Sequence, residues 1–216
     1  MKLITLGIDI MTVQLQDQIE FQDQSFCVTT SSGSGLFNPR DYGMEPLSTA
    51  TCCWAGWVCR YGVVDDALVL LALSINLESS LDESISLNGV RPTTYEAKIP
   101  LFTHIYDHIN LKIPFSGGIL AARKFLSHEC NSAGSNPAWK FEHSRELVFD
   151  NGLLVQDRDV SEFMKEVRAC ENYVIPRLKW WKRLFKKGVQ KISSPSVTTG
   201  YPLKFKYGGW YEDYEN

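Results

Sequence analysis

The sequence predicts an α+β protein: a mostly antiparallel, meander-like β-sheet followed by C-terminal helices, the last of them basic and amphipathic. Three observations predict it. Short apolar stretches with strand-like alternation, separated by turn residues, fill the first three quarters of the chain. From Ser161 the apolar spacing changes from two to three and four residues. Between Pro176 and Lys206 stand nine basic residues and no Asp or Glu. The expected organisation is a β-rich domain over residues 1–160, a helical segment over 161–192 packed on it or projecting from it, and an aromatic tail over 193–216.

The first strands are expected as a hairpin, Ile19-Glu20-Phe21 and Ser25-Phe26-Cys27-Val28, turning at Asp23-Gln24. Thr29 to Gly35 reads as a loop by its Ser, Thr and Gly content. A stronger hairpin pairs Trp57-Val58-Cys59-Arg60-Tyr61 with Ala67-Leu68-Val69-Leu70-Leu71 across a polar Asp65-Asp66 turn. The second of these strands is apolar on both faces, which suits a central position.

Further along, Ile109, Leu111, Ile113 and Phe115 alternate with polar residues and Pro114, so a half-buried strand is expected, ending at a Ser116-Gly117-Gly118 turn. Glu146 to Phe149 and Leu153 to Val155 flank Asp150-Asn151-Gly152, where Asn-Gly supplies the positive φ angles that a tight hairpin needs. Ser161 can cap a helix carrying Phe163, Met164, Val167, Cys170 and Val174 on one face. After Pro176, Leu178, Trp181, Leu184, Phe185 and Ile192 keep helical spacing as far as Gly188 permits, with cations on the remaining surface.

The net charge of −3 conceals this basic segment at +9 attached to a body at −12. Such a separation concerns partners, because a concentrated cationic surface meets something anionic. The expected partner-binding residues are Arg177, Lys179, Trp180, Trp181, Lys182, Arg183, Lys186, Lys187 and Lys191. Another protein is the expected partner. An anionic membrane surface is the second reading, because Trp180 and Trp181 between cations suit a bilayer interface. Nucleic acid is the third, through phosphate neutralisation and ring stacking. Against all three stands the plain alternative that the helix buries Leu178, Trp181 and Phe185 on its own sheet and exposes its cations to water.

Catalytic and metal motifs are weak by comparison. His104 and His108 have the separation of a helical metal pair, but the alternation that follows argues for a strand, and no Glu lies between them. The six cysteines are irregularly spaced, so reduced thiols are expected. Cys52, Cys53 and Cys59 lack a matching second ligand pair beyond His128 and Cys130. Ser116-Gly117-Gly118 lacks the Lys-Ser/Thr of a phosphate loop. The carboxylates Asp65, Asp66, Asp107, Glu146, Asp157 and Asp159 single out no acid–base pair. No cofactor or metal is expected, and the chain reads as a binding module rather than an enzyme, with a metal-dependent hydrolase as a further alternative. The apolar stretch Ala67 to Leu77 is too short to span a bilayer and Asp9 interrupts the N-terminal run, so a cytoplasmic location is expected.

Several strand motifs carry a resemblance. Ile19-Glu20-Phe21 to Cys27-Val28, Leu36-Phe37-Asn38-Pro39, Cys53-Trp54-Ala55-Gly56-Trp57-Val58 with Tyr61, and Ala67-Leu68-Val69-Leu70 resemble small stand-alone bacterial proteins of unknown function. Their pattern is a short strand pair, an NP turn, a CWRGY strand and a DGKLYL strand. Leu147-Val148-Phe149-Asp150-Asn151-Gly152-Leu153-Leu154-Val155 is similar to their closing FEDGRLV hairpin. Ala55 stands where that pattern has Arg, and the basic stretch after Pro176 has no counterpart in it. The resemblance implies a β-rich fold and no established activity. With it the chain is expected to be a bacterial macromolecule-binding protein, an immunity- or antitoxin-like partner or an accessory subunit of a defence system.

Overall fold

A computed structural model describes residues 13–78, 85–94, 101–126 and 135–174. Its strands are β1 (Gln18–Phe21), β2 (Gln24–Ser34), β3 (Trp57–Val64), β4 (Ala67–Ile75), β5 (Thr93–Thr94), β6 (His104–Tyr106), β7 (Leu111–Lys112), β8 (Ser116–Phe125), β9 (Phe141–Asp150) and β10 (Leu153–Asp159), followed by one helix, α1 (Ser161–Val174). The chain is therefore α+β, mostly sheet, with a helix after the last strand. The basic residues Arg177 to Lys191 and the tail 193–216 lie outside the described residues.

Three hairpins form where local chemistry requires them. Their turns are Gln22-Asp23, Asp65-Asp66 and Asn151-Gly152, and all six residues have positive φ, the combination that matches the twist of paired strands. The first turn falls one residue earlier than the spacing suggested. β4 is buried along almost its whole length and is bounded on both sides, by β3 and by β6 and β7. This is the central strand its two-faced apolarity predicts.

The sheet is not a meander. Its order is β10-β9-β8-β2-β1-β3-β4-β6-β5, and β10 also meets β4. Seven strands thus form a ring, from β4 through β3, β1, β2, β8, β9 and β10 back to β4. β1 and β3 run parallel. The ring closes at Leu153 opposite Ala67, where Leu68 N donates to Gly152 O and Leu154 N to Asp66 O, each at 2.8 Å. Two hairpin turns far apart in sequence are thereby fastened to each other.

Two expected connections are strand instead. Thr29 to Ser34 continues β2, and Ser116-Gly117-Gly118 opens β8; the two segments pair antiparallel. β-Branched Thr suits a strand, and Gly33 opposite Gly117 lets the backbones approach where side chains would collide. From 109 to 115 the expected alternation holds, with Ile109, Ile113 and Phe115 buried, but only Leu111 and Lys112 pair in the ladder, with β4. Left-handed backbone at His108 and Asn110 breaks the extended run.

The interior of the ring is filled by Ile19, Phe21, Phe26, Tyr61, Leu68, Leu70, Phe115, Ile119, Leu147 and Phe149, which belong to one buried cluster. A smaller cluster, Leu120, Ala122, Ala138, Phe141 and Met164, lies on the opposite face of β8 and β9 and receives α1. Fully burying each such side chain contributes roughly 1.5–3 kcal/mol before entropy is deducted.

Candidate functional site

The helix that leads into the basic segment is anchored to the ring at three points. Asp159 Oδ1 accepts from Ser161 N at 2.8 Å, the capping contact that starts α1. Ser161, expected as the cap, is instead the first residue of the helix, and its Oγ accepts from Ser144 N at 3.0 Å, tying α1 to β9. Met164 is buried against Leu120 and Phe141, and Arg168 donates from Nε to Trp139 O at 2.6 Å and from a terminal nitrogen to Phe141 O at 2.8 Å. The expected partner-binding residues Arg177, Lys179, Trp180, Trp181, Lys182, Arg183, Lys186, Lys187 and Lys191 follow this anchor in sequence, outside the described residues.

The two histidines are not brought together. His104 is buried in β6 with its Nδ1 2.8 Å from Thr103 Oγ1, whereas His108 is exposed in a left-handed turn. Among the described residues no three His, Cys, Asp or Glu side chains are grouped to hold a metal ion. Cys53 and Cys59 are buried free thiols. Asp65 and Asp66 sit exposed in their turn, and Asp107 meets Arg60 at 3.2 Å. Glu146 forms an ion pair with Arg158.

Sequence reasoning missed two polar arrangements. The first surrounds Asp17, which lies in the stretch Gln14 to Gln18. Its Oδ1 accepts from Cys59 N at 2.7 Å, and its carbonyl accepts from Val28 N at 2.7 Å, so it joins the start of β1 to both neighbours. Burial pushes its carboxyl from 3.8 up to about 6, against the lowering effect of the Cys59 amide. Burial also pushes the Cys59 thiol and the Tyr61 hydroxyl well above their ordinary values, and the Asp17 charge adds to both. A thiol and a phenol held neutral in this way are not activated nucleophiles. The cluster is a structural clamp with a titratable carboxyl.

The second arrangement lies at one mouth of the ring, where cation–aromatic stacking meets charge. Arg145 stands over Phe21 with its guanidinium carbon 5.4 Å from the ring centre, and Arg123 stands over Phe26 at 5.6 Å. Asp157 takes Arg145 in a two-pronged pair at 2.8 and 2.5 Å, which raises the Arg145 pKa. Asp159 is drawn below the ordinary carboxylate range, first by its hydrogen bonds from Ser161 and further by Arg145 and His143. Arg and Asp in alternation with apolar residues look like an ordinary solvated strand face. The only available signal was that Arg123, Arg145 and Asp157 share the inward parity of Ala121, Leu147 and Phe149.

No family model, no curated protein and no solved structure matches the chain. Among the described residues no helix is long and apolar enough to cross a membrane.

Proposed function

We propose that this protein works by binding another macromolecule, a protein with an acidic surface, through the basic segment that follows α1. The observation that carries the reading is charge segregation: nine cations and no carboxylate between Pro176 and Lys206, on a body at −12. Complementary charge of this kind speeds encounter and fixes orientation more than it adds affinity. The anchoring of α1 by Ser161, Met164 and Arg168 supports the reading, because the helix that precedes that segment in sequence is tied to the ring. An immunity- or antitoxin-like role, or a place as accessory subunit in a bacterial defence system, fits a β-rich binding module with an acidic body.

The test is a low-salt pull-down of the full chain beside a variant carrying Lys182→Glu, Arg183→Glu, Lys186→Glu and Lys187→Glu. A protein retained by the wild type and lost by the variant supports the proposal. Retention of the same protein by both forms overturns it. Binding of the wild type to vesicles containing anionic lipid, lost with Trp181→Ser and Phe185→Ser, would replace it with the membrane reading that Trp180 and Trp181 favour. Copurifying material absorbing at 260 nm would replace it with nucleic acid.

A further inference from the structure

The mouth of the ring holds a guanidinium that the fold positions and that no described residue pairs with. Arg123 lies opposite His143 in the β8–β9 ladder, and Ala121 opposite Arg145, so Arg123 and Arg145 are diagonal neighbours on one face, roughly 7–8 Å apart in such a ladder. Both guanidiniums are seated on aromatic rings of the first hairpin, and Phe21 and Phe26 are themselves buried. Arg145 is paired with Asp157 through two of its nitrogens. Asp159 is engaged by Ser161 N, and Glu142 by Lys124 at 3.5 Å and by His143 at 3.4 Å. Among the described residues Arg123 has neither a hydrogen-bond nor an ion-pair partner, and its Nε is buried without one.

Stacking on Phe26 holds the planar fork in one orientation, so little further ordering is needed to receive a ligand. We propose that Arg123 is a recognition site for a single carboxylate, which would take two parallel N–H donors from the two terminal nitrogens of the guanidinium, since its Nε is hidden from solvent. Asp157 and Asp159 stand on β10 beside Arg145, so this face carries negative charge of its own, which repels a phosphate dianion more than a carboxylate monoanion. The carboxylate belongs either to a small free acid or to an Asp or Glu side chain that a partner inserts into the mouth. This site is independent of the basic segment, and neither proposal needs the other.

The experiment is nuclear magnetic resonance of the Arg Nε–H signals in the full-length chain, with Arg123 identified as the signal absent from Arg123→Lys. Sodium acetate, inorganic phosphate and a short peptide with one glutamate are titrated at constant ionic strength against sodium chloride. The expected result is a saturable shift of the Arg123 signal with acetate, with a midpoint near or below about 10 mM, and a response to phosphate at least about threefold weaker. Saturation by the peptide as well identifies a partner's side chain as the source, and saturation by acetate alone identifies a small acid. In Arg123→Lys, followed through the amide signals of Phe26, the acetate midpoint rises about tenfold while the remaining spectrum stays folded. A shift that never saturates, that chloride reproduces, or that survives unchanged at the Phe26 amide in Arg123→Lys overturns the proposal.

Discussion

Gly33 and Gly117 face each other in the β2–β8 ladder, both with positive φ, at +129° and +154°. A Cβ on Gly33 would stand 2.2 Å from the Ser116 carbonyl oxygen, and one on Gly117 2.0 Å from that of Ser32. Neither obstacle is a side chain that can rotate away. The two strands cross at this point only because both residues are glycine.

Gly33→Ala and Gly117→Ala are each expected to destabilise the fold by about 2–4 kcal/mol, through backbone strain and steric displacement together. Gly89→Ala is the control, since Gly89 also has positive φ (+81°) but nothing within 4 Å of its Cβ position. Its cost should stay near 1 kcal/mol. Denaturant unfolding of the three variants checks the difference, and equal losses would refute the close-approach argument.

Two ion pairs of the ring should differ in worth. Arg145 and Asp157 are about three-quarters buried and joined by two hydrogen bonds, whereas Arg60 and Glu20 are nearly half exposed and 3.4 Å apart. Double-mutant cycles to Ala are expected to give a coupling of about 1–2 kcal/mol for the first pair and under about 0.5 kcal/mol for the second. Salt should weaken the second more than the first.

Asp17 makes stability depend on pH in a definite direction. Its folded value, about 6, lies above the ordinary 3.8, so between those values the folded chain holds more protons than the unfolded one. Stability from this residue is therefore fully present below about pH 4 and declines as pH rises towards 6, by up to about 3 kcal/mol. Asp17→Asn keeps an acceptor for Cys59 N and removes the titration. The difference in unfolding free energy between wild type and Asp17→Asn should grow across this window in favour of the variant, and a flat difference would contradict the shift.

Among the side chains of α1 described over 161–169, Met164 is the buried one. Met164→Ala is expected to cost about 2–4 kcal/mol at the α1 contact. Hydrogen exchange reads this directly: protection in 161–174 should fall while β3 and β4 stay protected. Uniform loss across the ring would show that helix and ring unfold as one unit.

The hairpins and α1 were legible because their causes are local. Asp65-Asp66 and Asn151-Gly152 carry the turn chemistry beside the strands they join, and the spacing of Phe163 and Met164 defines a helix within a few residues. Thr29 to Ser34 and Ser116 to Gly118 were misread as connections for the opposite reason: each looks like loop until the other is beside it. Asp17 was illegible too, since nothing in Gln14 to Gln18 marks one polar residue as desolvated.

By itself, then, the sequence determined an α+β chain of paired strands, a helix from Ser161 and a concentrated basic segment, since turn dihedrals, side-chain period and charge are properties of neighbouring residues. The tertiary structure alone decided the parallel β1–β3 pair, the closure of β10 on β4 at Leu153 and Ala67, and the stacking of Arg123 and Arg145 on Phe26 and Phe21. These depend on contacts between segments far apart in the chain, whose register is chosen by joint burial of apolar faces, and no local pattern carries that choice.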